Sequence, residues 1–287
     1  MLKAGVTIGC AAAMVVAAVL AVRLRHTRWT PSPVSGREPF GARLAVTVGR
    51  AGGMVLGASL AGVLTIGAGG RLMMRVLAAT SSDDVQGLRT EADEIVGEVS
   101  VGGSVFLIVL VGIGAGVLGM ALFSVLRRWL PDRSLAAGLV GVSIGAGLLV
   151  RPASLLSSTN SDFTVLTPVA LAVALCLATL ALFGATFGVL VDSLAARWPQ
   201  PGWNAQGVVS VLPFAVLLPS PPLLVAVIIG VLAGTVTSGV RSAAARGHSV
   251  QSDVEGGHTR FGRIVVMALG GIGSLSIVVA AGQVLAL

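Results

Sequence analysis

The stretch 101–150 reads VGGSVFLIVLVGIGAGVLGMALFSVL, then RRWLPDR over 127–133, then SLAAGLVGVSIGAGLLV. No charged residue falls in either apolar run, while the connection carries Arg127, Arg128, Asp132 and Arg133. A helical run of about 20 apolar residues matches the roughly 30 Å hydrocarbon thickness of a bilayer. In lipid each backbone N–H and C=O has to be satisfied within the chain, so spanning segments are helices or closed barrels. Unbroken apolar runs of this length point to helices. The stretch reads as a membrane helical hairpin with an arginine-rich turn.

The same pattern extends in both directions. Further candidate spans are 4–22, 44–70, 164–191, 205–219, 222–240 and 264–287. The doubtful one is 205–219, which is short, contains Pro213 and runs into Pro219-Ser220-Pro221-Pro222. Proline cannot continue a helix interior, so 205–240 is either a tight helical hairpin or a re-entrant piece followed by a span. Across the 287 residues 55% are hydrophobic and 11% charged, and the mean hydropathy is +0.95. A soluble domain carries about 25% charged residues. The expected fold is all-α, a polytopic transmembrane helical bundle forming one integral membrane domain over 1–287.

Offsetting the chain by 69 residues aligns 119–152 with 188–221 at 12 of 34 positions. Matches of Ala, Gly, Val and Leu carry little weight in this composition. Ser124/Ser193, Arg128/Arg197, Trp129/Trp198 and Pro152/Pro221 carry more. A parallel helical-hairpin repeat would make 205–219 the counterpart of 134–150 and give eight spans.

Arginine placement tests that count. Of 19 basic residues all but Lys3 are Arg. Eight spans with the first residues outside put 13 basic residues in inner connections and five in outer ones, whereas seven spans give nine against nine. Inner connections are enriched in Arg and Lys, and interfaces in Trp. Trp29, Trp129, Trp198 and Trp203 all fall in the inner connections of the eight-span arrangement. The expectation is a multi-pass protein of the cytoplasmic membrane with both termini outside. Its basic cytoplasmic loops are 23–43 and 241–263, and its acidic extracytoplasmic loop is 71–100. The run 4–22 has no small-residue cleavage site before Arg23 and reads as a retained helix rather than a removed signal.

The net charge of +7 does not point to nucleic acid, because the arginines flank apolar runs instead of forming a patch. Cys10 and Cys176 lie in separate apolar runs without metal spacing and read as packing residues. His26, His248 and His258 all fall in inner connections, so no nucleophile–histidine pair is offered within the spans. No metal or cofactor motif appears, and no cofactor is expected. Asp192, near the inner end of its span, has Arg197 as the nearest basic residue in sequence and is expected to pair with it. Pro168 and Pro213 are the candidates for helix interruptions.

Two groups of residues stand out. Small residues recur at four-residue spacing at Gly49, Gly53, Gly57 and Ala61, at Gly112 and Gly116, at Gly141 and Gly145, and at Gly184 and Gly188. Such faces let helix backbones approach closely. The segment 71–100 holds six of the twelve acids, Asp83, Asp84, Glu91, Asp93, Glu94 and Glu98, beside Arg71, Arg75 and Arg89. Thr90 to Asp93 reads as a capping signal and Ile95 to Val101 alternates like a short strand. One reading is a lid whose Arg71, Arg75, Arg89, Glu91, Asp93, Glu94 and Glu98 meet a ligand or partner. The other is a solvated loop whose acids pair with those arginines.

The segment Gly70-Arg71-Leu72-Met73-Met74-Arg75, with Gly87-Leu88-Arg89-Thr90-Glu91-Ala92-Asp93-Glu94 and Gly97-Glu98, resembles a group of uncharacterised multi-spanning membrane proteins of high-GC actinobacteria. The resemblance is strongest over 50–131. It implies a membrane location and a fold type, and no functional residue is carried over from it. For function, a structural or accessory membrane role leads. A transporter or lipid-handling protein is the alternative, and an enzyme using the outer acids comes last. Expected partners are membrane lipids, with a second copy or another membrane protein left open.

Overall fold

In the computed structural model the described residues are 2–30, 39–82, 87–88, 100–149, 167–201, 205–218 and 252–286, with pieces of 224–231. Among them the chain is helical, and its one extended pairing is a single antiparallel bridge between Arg28 and Arg133. The helices are α1 (Leu2–Arg23), α2 (Phe40–Thr80), α3 (Val101–Leu126), α4 (Ser134–Leu149), α5 (Val169–Arg197), α6 (Ala205–Val211) and α7 (Ser252–Leu285). The apolar parts of α1, α2, α3, α5 and α7 are each long enough to cross a membrane, and α4 is a shorter apolar helix.

Local chemistry accounts for the ends. Pro39 and Pro168 stand just outside the starts of α2 and α5 in extended conformation, where the missing N–H costs nothing. Pro168 therefore opens a helix and does not interrupt one. Ser100 caps α3, its hydroxyl accepting from the Gly103 N–H at 3.0 Å. Pro199 and Pro201 follow Trp198 and prevent α5 from continuing. Pro213 converts the end of α6 into a 3-10 stretch, Leu212–Leu217. Together α6 and that stretch rise about 22 Å, short of the roughly 30 Å of a hydrocarbon core.

Several boundaries differ from the hydropathy reading. Residues 71–80 continue α2 as helix, so the connection to α3 begins after Thr80 and not at Arg71. Residues 252–263 belong to α7, and α5 extends to Arg197. Hydropathy marks where the apolar stretch stops, whereas helical hydrogen bonding continues past it wherever residues favour it. At 41 residues, α2 is about 60 Å long, more than the about 40–45 Å of a bilayer with its headgroups. It contains a π turn at Val63–Gly67, and α3 contains another at Phe106–Val111.

The helices alternate in direction between an arginine-rich end and an opposite end. Gly53 of α2 lies against Leu194 of α5, and further along the same helix Arg71 meets Ser104 of α3. α7 starts at the arginine-rich end, where Arg263 pairs with Asp132, and α5 finishes there. The end of α5 and the start of α7 therefore lie at the same end of the bundle.

Packing is by backbone contact. A Cβ built on Gly49, Gly53 or Gly57 would lie 2.5–2.8 Å from the carbonyl oxygen of Pro199, Leu194 or Leu190 respectively. On the adjoining face of α2, Gly62 abuts Gly112, and the α3 residue Gly116 abuts Ala58. Gly184 and Gly188 of α5 meet Gly138 and Ser134 of α4, and Gly147 of α4 meets Gly273 of α7. Gly141 and Gly145 sit differently, facing side-chain carbons of Phe123 and Leu122 at an ordinary 3.4 Å. Close packing of this kind supplies the dispersion contacts that hold helices together in lipid.

Larger side chains fill two clusters. Phe123, Phe183 and Phe187 gather with Val55, Val117 and Leu190 toward the arginine-rich end. Leu77, Val173, Ile277 and Val284 gather toward the other. The outer faces of α1, α3 and α7 expose Ile8, Val15, Phe106, Leu118, Ile272 and Leu275. Exposed apolar surface of this extent suits lipid rather than water.

Candidate functional site

The densest polar arrangement lies at the arginine-rich end, where two connections pair. The N–H of Trp29 donates to the Asp132 carbonyl at 3.0 Å, and that of Ser134 donates to the Thr27 carbonyl at 3.1 Å. These bonds flank the bridge of Arg28 with Arg133. They tie the turn after α1 to the turn before α4.

Beneath this ladder Arg127 reaches α5. Its Nε and Nη2 donate to Asp192 at 3.2 and 2.8 Å, and its Nη1 donates to the Pro131 carbonyl at 2.9 Å. The rings of Trp29 and Phe123 flank the guanidinium at 5.1 and 5.4 Å. A two-pronged guanidinium–carboxylate contact is among the stronger charge-assisted pairs. Arg197 is not the partner of Asp192. A spacing of five residues turns it well off the aspartate's face, whereas three or four would align the two.

Two clefts open at this end. One, of about 220 Å³, is lined by Thr30, Val46, Arg50, Trp198 and Gln200. Within it Arg50 donates to the Thr30 carbonyl at 2.8 Å. The other, of about 360 Å³, is lined by Arg28, Asp132, Arg133, Ala136, Arg263 and Met267. In it Arg263 pairs with Asp132 at 3.2 Å, with both side chains largely in solvent.

At the opposite end Arg71 is buried and donates from Nε to the Ser104 hydroxyl at 3.1 Å. Ser104 donates to the Ser100 carbonyl at 2.8 Å. Arg75 sits one turn beyond Arg71, and neither guanidinium is free. Nearby the hydroxyl of Ser81 donates to the Thr167 carbonyl at 3.0 Å. Arg89, Glu91, Asp93, Glu94 and Glu98 lie outside the described residues, as do the capping signal at Thr90 and the alternating stretch before Ser100. Among the described residues no three His, Cys, Asp or Glu side chains come together in a way that could hold a metal ion.

Sequence reasoning missed the buried contacts of Arg71 with Ser104 and of Arg127 with Asp192. Ser104 could have been found as the i+4 neighbour of the cap Ser100. Arg127 carried no signal beyond its place beside an apolar run, because its partner comes from another hairpin. No protein-family model, curated protein or solved structure matches the chain.

Proposed function

We propose that the chain is an integral protein of the cytoplasmic membrane, with its arginine-rich end in the cytoplasm and both termini outside, acting as a structural or accessory component. The carrying observation is the backbone-to-backbone packing of α2, α3, α4, α5 and α7 at glycines. Helices whose backbones touch leave little room for a solute path between them, which favours a scaffold over a transporter. The positive-inside rule supplies the orientation. The resemblance over 50–131 to multi-spanning actinobacterial membrane proteins fits the same placement.

The return of the chain to one end between α5 and α7 supports an even number of crossings. Eight crossings require the prolines at 219–222 to reach the far side. Six crossings with a re-entrant 205–240 are favoured by the about 22 Å rise of Ala205–Leu217. The hairpin repeat fits the eight-crossing form.

Single cysteines at Ser82, Ser220 and Ser252, with Cys10 and Cys176 replaced, test the arrangement with a membrane-impermeant thiol reagent. Labelling of Ser82 from outside and of Ser252 only after lysis is expected. Labelling of Ser252 from outside would overturn the orientation. Ser220 reached from outside selects eight crossings, and Ser220 protected there selects the re-entrant form. Native mass spectrometry of gently extracted protein tests the accessory role. A protein partner or a defined oligomer supports it, and a stoichiometric small solute overturns it.

A further inference from the structure

In the 360 Å³ cleft the fold sets two like charges directly across an antiparallel bridge, Arg28 against Arg133. Residues opposite one another in such a pair have Cβ atoms about 4.5–5.5 Å apart, and like charges there are destabilising. The pairing is nonetheless fixed on both sides by the Trp29–Asp132 and Thr27–Ser134 backbone bonds. Arg263 of α7 lines the same cleft, and Asp132, the one carboxylate there among the described residues, is engaged by it. Among the described residues, three arginines thus line a cleft that holds one acid. An anion held between Arg28 and Arg133 would turn their repulsion into attraction.

The position specifies what kind of anion. Arginine presents a rigid donor fork suited to phosphate oxygens. The cleft also lies at the first turn of α4, where the helix dipole favours negative charge. Its remaining wall holds Ala136 and the exposed Met267. Beyond Met267, α7 exposes Ile272, Leu275 and Val278 along its length, apolar surface leading away from the arginines. Phosphate at the mouth and hydrocarbon along the helix is the layout of a phospholipid. The volume falls in the roughly 300–1,000 Å³ range of ligand clefts.

We propose that Arg28, Arg133 and Arg263 form a binding site for the phosphate of an anionic phospholipid whose acyl chains lie along α7. The site rests on this end of the bundle lying at a membrane surface, and is independent of which side of the membrane that is.

The test is native mass spectrometry of the full-length protein in detergent, titrated with phosphatidylglycerol and, separately, with phosphatidylcholine carrying the same chains. One retained phosphatidylglycerol and no retained phosphatidylcholine are expected. Replacing both Arg28→Gln and Arg133→Gln should weaken retention roughly thirtyfold, from about fivefold per arginine. Arg28→Lys with Arg133→Lys should restore most of it. Asp132→Asn, which releases Arg263, should tighten it and needs no change in the arginines, so it reads the site even if the double variant folds poorly. Arg197→Gln, at the same end but outside the cleft, should leave retention unchanged.

Equal weakening by Arg197→Gln would mean diffuse charge attraction and overturn the site. Competition by inorganic phosphate or glycerol 3-phosphate at concentrations matching the lipid would make the ligand a free phosphate and overturn the lipid assignment. Labelling of Ser252 from outside alongside intact phosphatidylglycerol retention would overturn the cytoplasmic orientation and leave the site standing.

Discussion

Asp192 and Arg127, 65 residues apart in the chain, meet through two charge-assisted hydrogen bonds, with their side chains 4% and 7% exposed. The contact joins the end of α5 to the turn that begins α4, and Trp29 covers it from the first connection. Three segments distant in sequence are therefore fixed by one guanidinium. Removing both charges from water is expensive, and the pair compensates only because Pro131 and two aromatic rings complete its surroundings.

Breaking one side of this pair should harm the protein more than replacing both. Asp192→Asn or Arg127→Gln leaves a buried group without its partner and should cost about 3–5 kcal/mol. Replacing the pair with Leu at 192 and Met at 127 should recover much of that loss. Thermal melting of the purified protein in detergent, read as a double-mutant cycle, checks the coupling. Additive losses would show that the two residues act independently.

The glycines should divide by what surrounds them. A methyl on Gly188 would run into the Ser134 carbonyl, and one on Gly57 would come within 2.8 Å of the Leu190 carbonyl oxygen. Gly188→Ala and Gly57→Ala should lower the melting temperature and loosen the bundle toward proteolysis. Gly114→Ala meets nothing within 4 Å and should be neutral or gain up to about 1 kcal/mol through helix propensity. A uniform response across the three variants would argue against backbone packing as their role.

Ser104→Ala should be costly for so small a change. It removes the hydroxyl that accepts from the buried Arg71, and a hydrogen bond to a charged group contributes about 1.5–3 kcal/mol. Ser100→Ala, which removes the α3 cap, should cost about 1 kcal/mol. Comparing the two melting curves checks the order.

Much of the fold was legible in sequence because lipid enforces a simple rule, long apolar runs bounded by arginine. The runs at 101–126 and 134–149 and the arginine-rich turn between them are found as helix, turn and helix. Less visible was where helical hydrogen bonding stops, since the charges of Arg71 and Arg75 close the apolar run at 70 while Arg71 to Thr80 continues α2. The backbone-close glycines of α4, Gly138 and Gly147, escaped the four-residue pattern that marks Gly141 and Gly145. Their partners are on other helices, and spacing within one helix cannot reveal which face a neighbour takes. The Arg127–Asp192 pair was hidden for the same reason.

The π turn at Val63–Gly67 sets the register between two helices. Along α3 the contacts with α2 advance by four residues at a time, Ser104, Ile108 and Gly112. Along α2 the matching positions are Arg71, Gly67 and Gly62, a step of four followed by a step of five. The widened turn absorbs the additional residue. Were it an ordinary α turn, Gly70 would face Ser104, and Arg71 would be rotated about 100° away. A charge can thus be aimed by the number of residues in a turn about 9 Å below it, and deleting one residue between 63 and 67 would turn Arg71 away from Ser104.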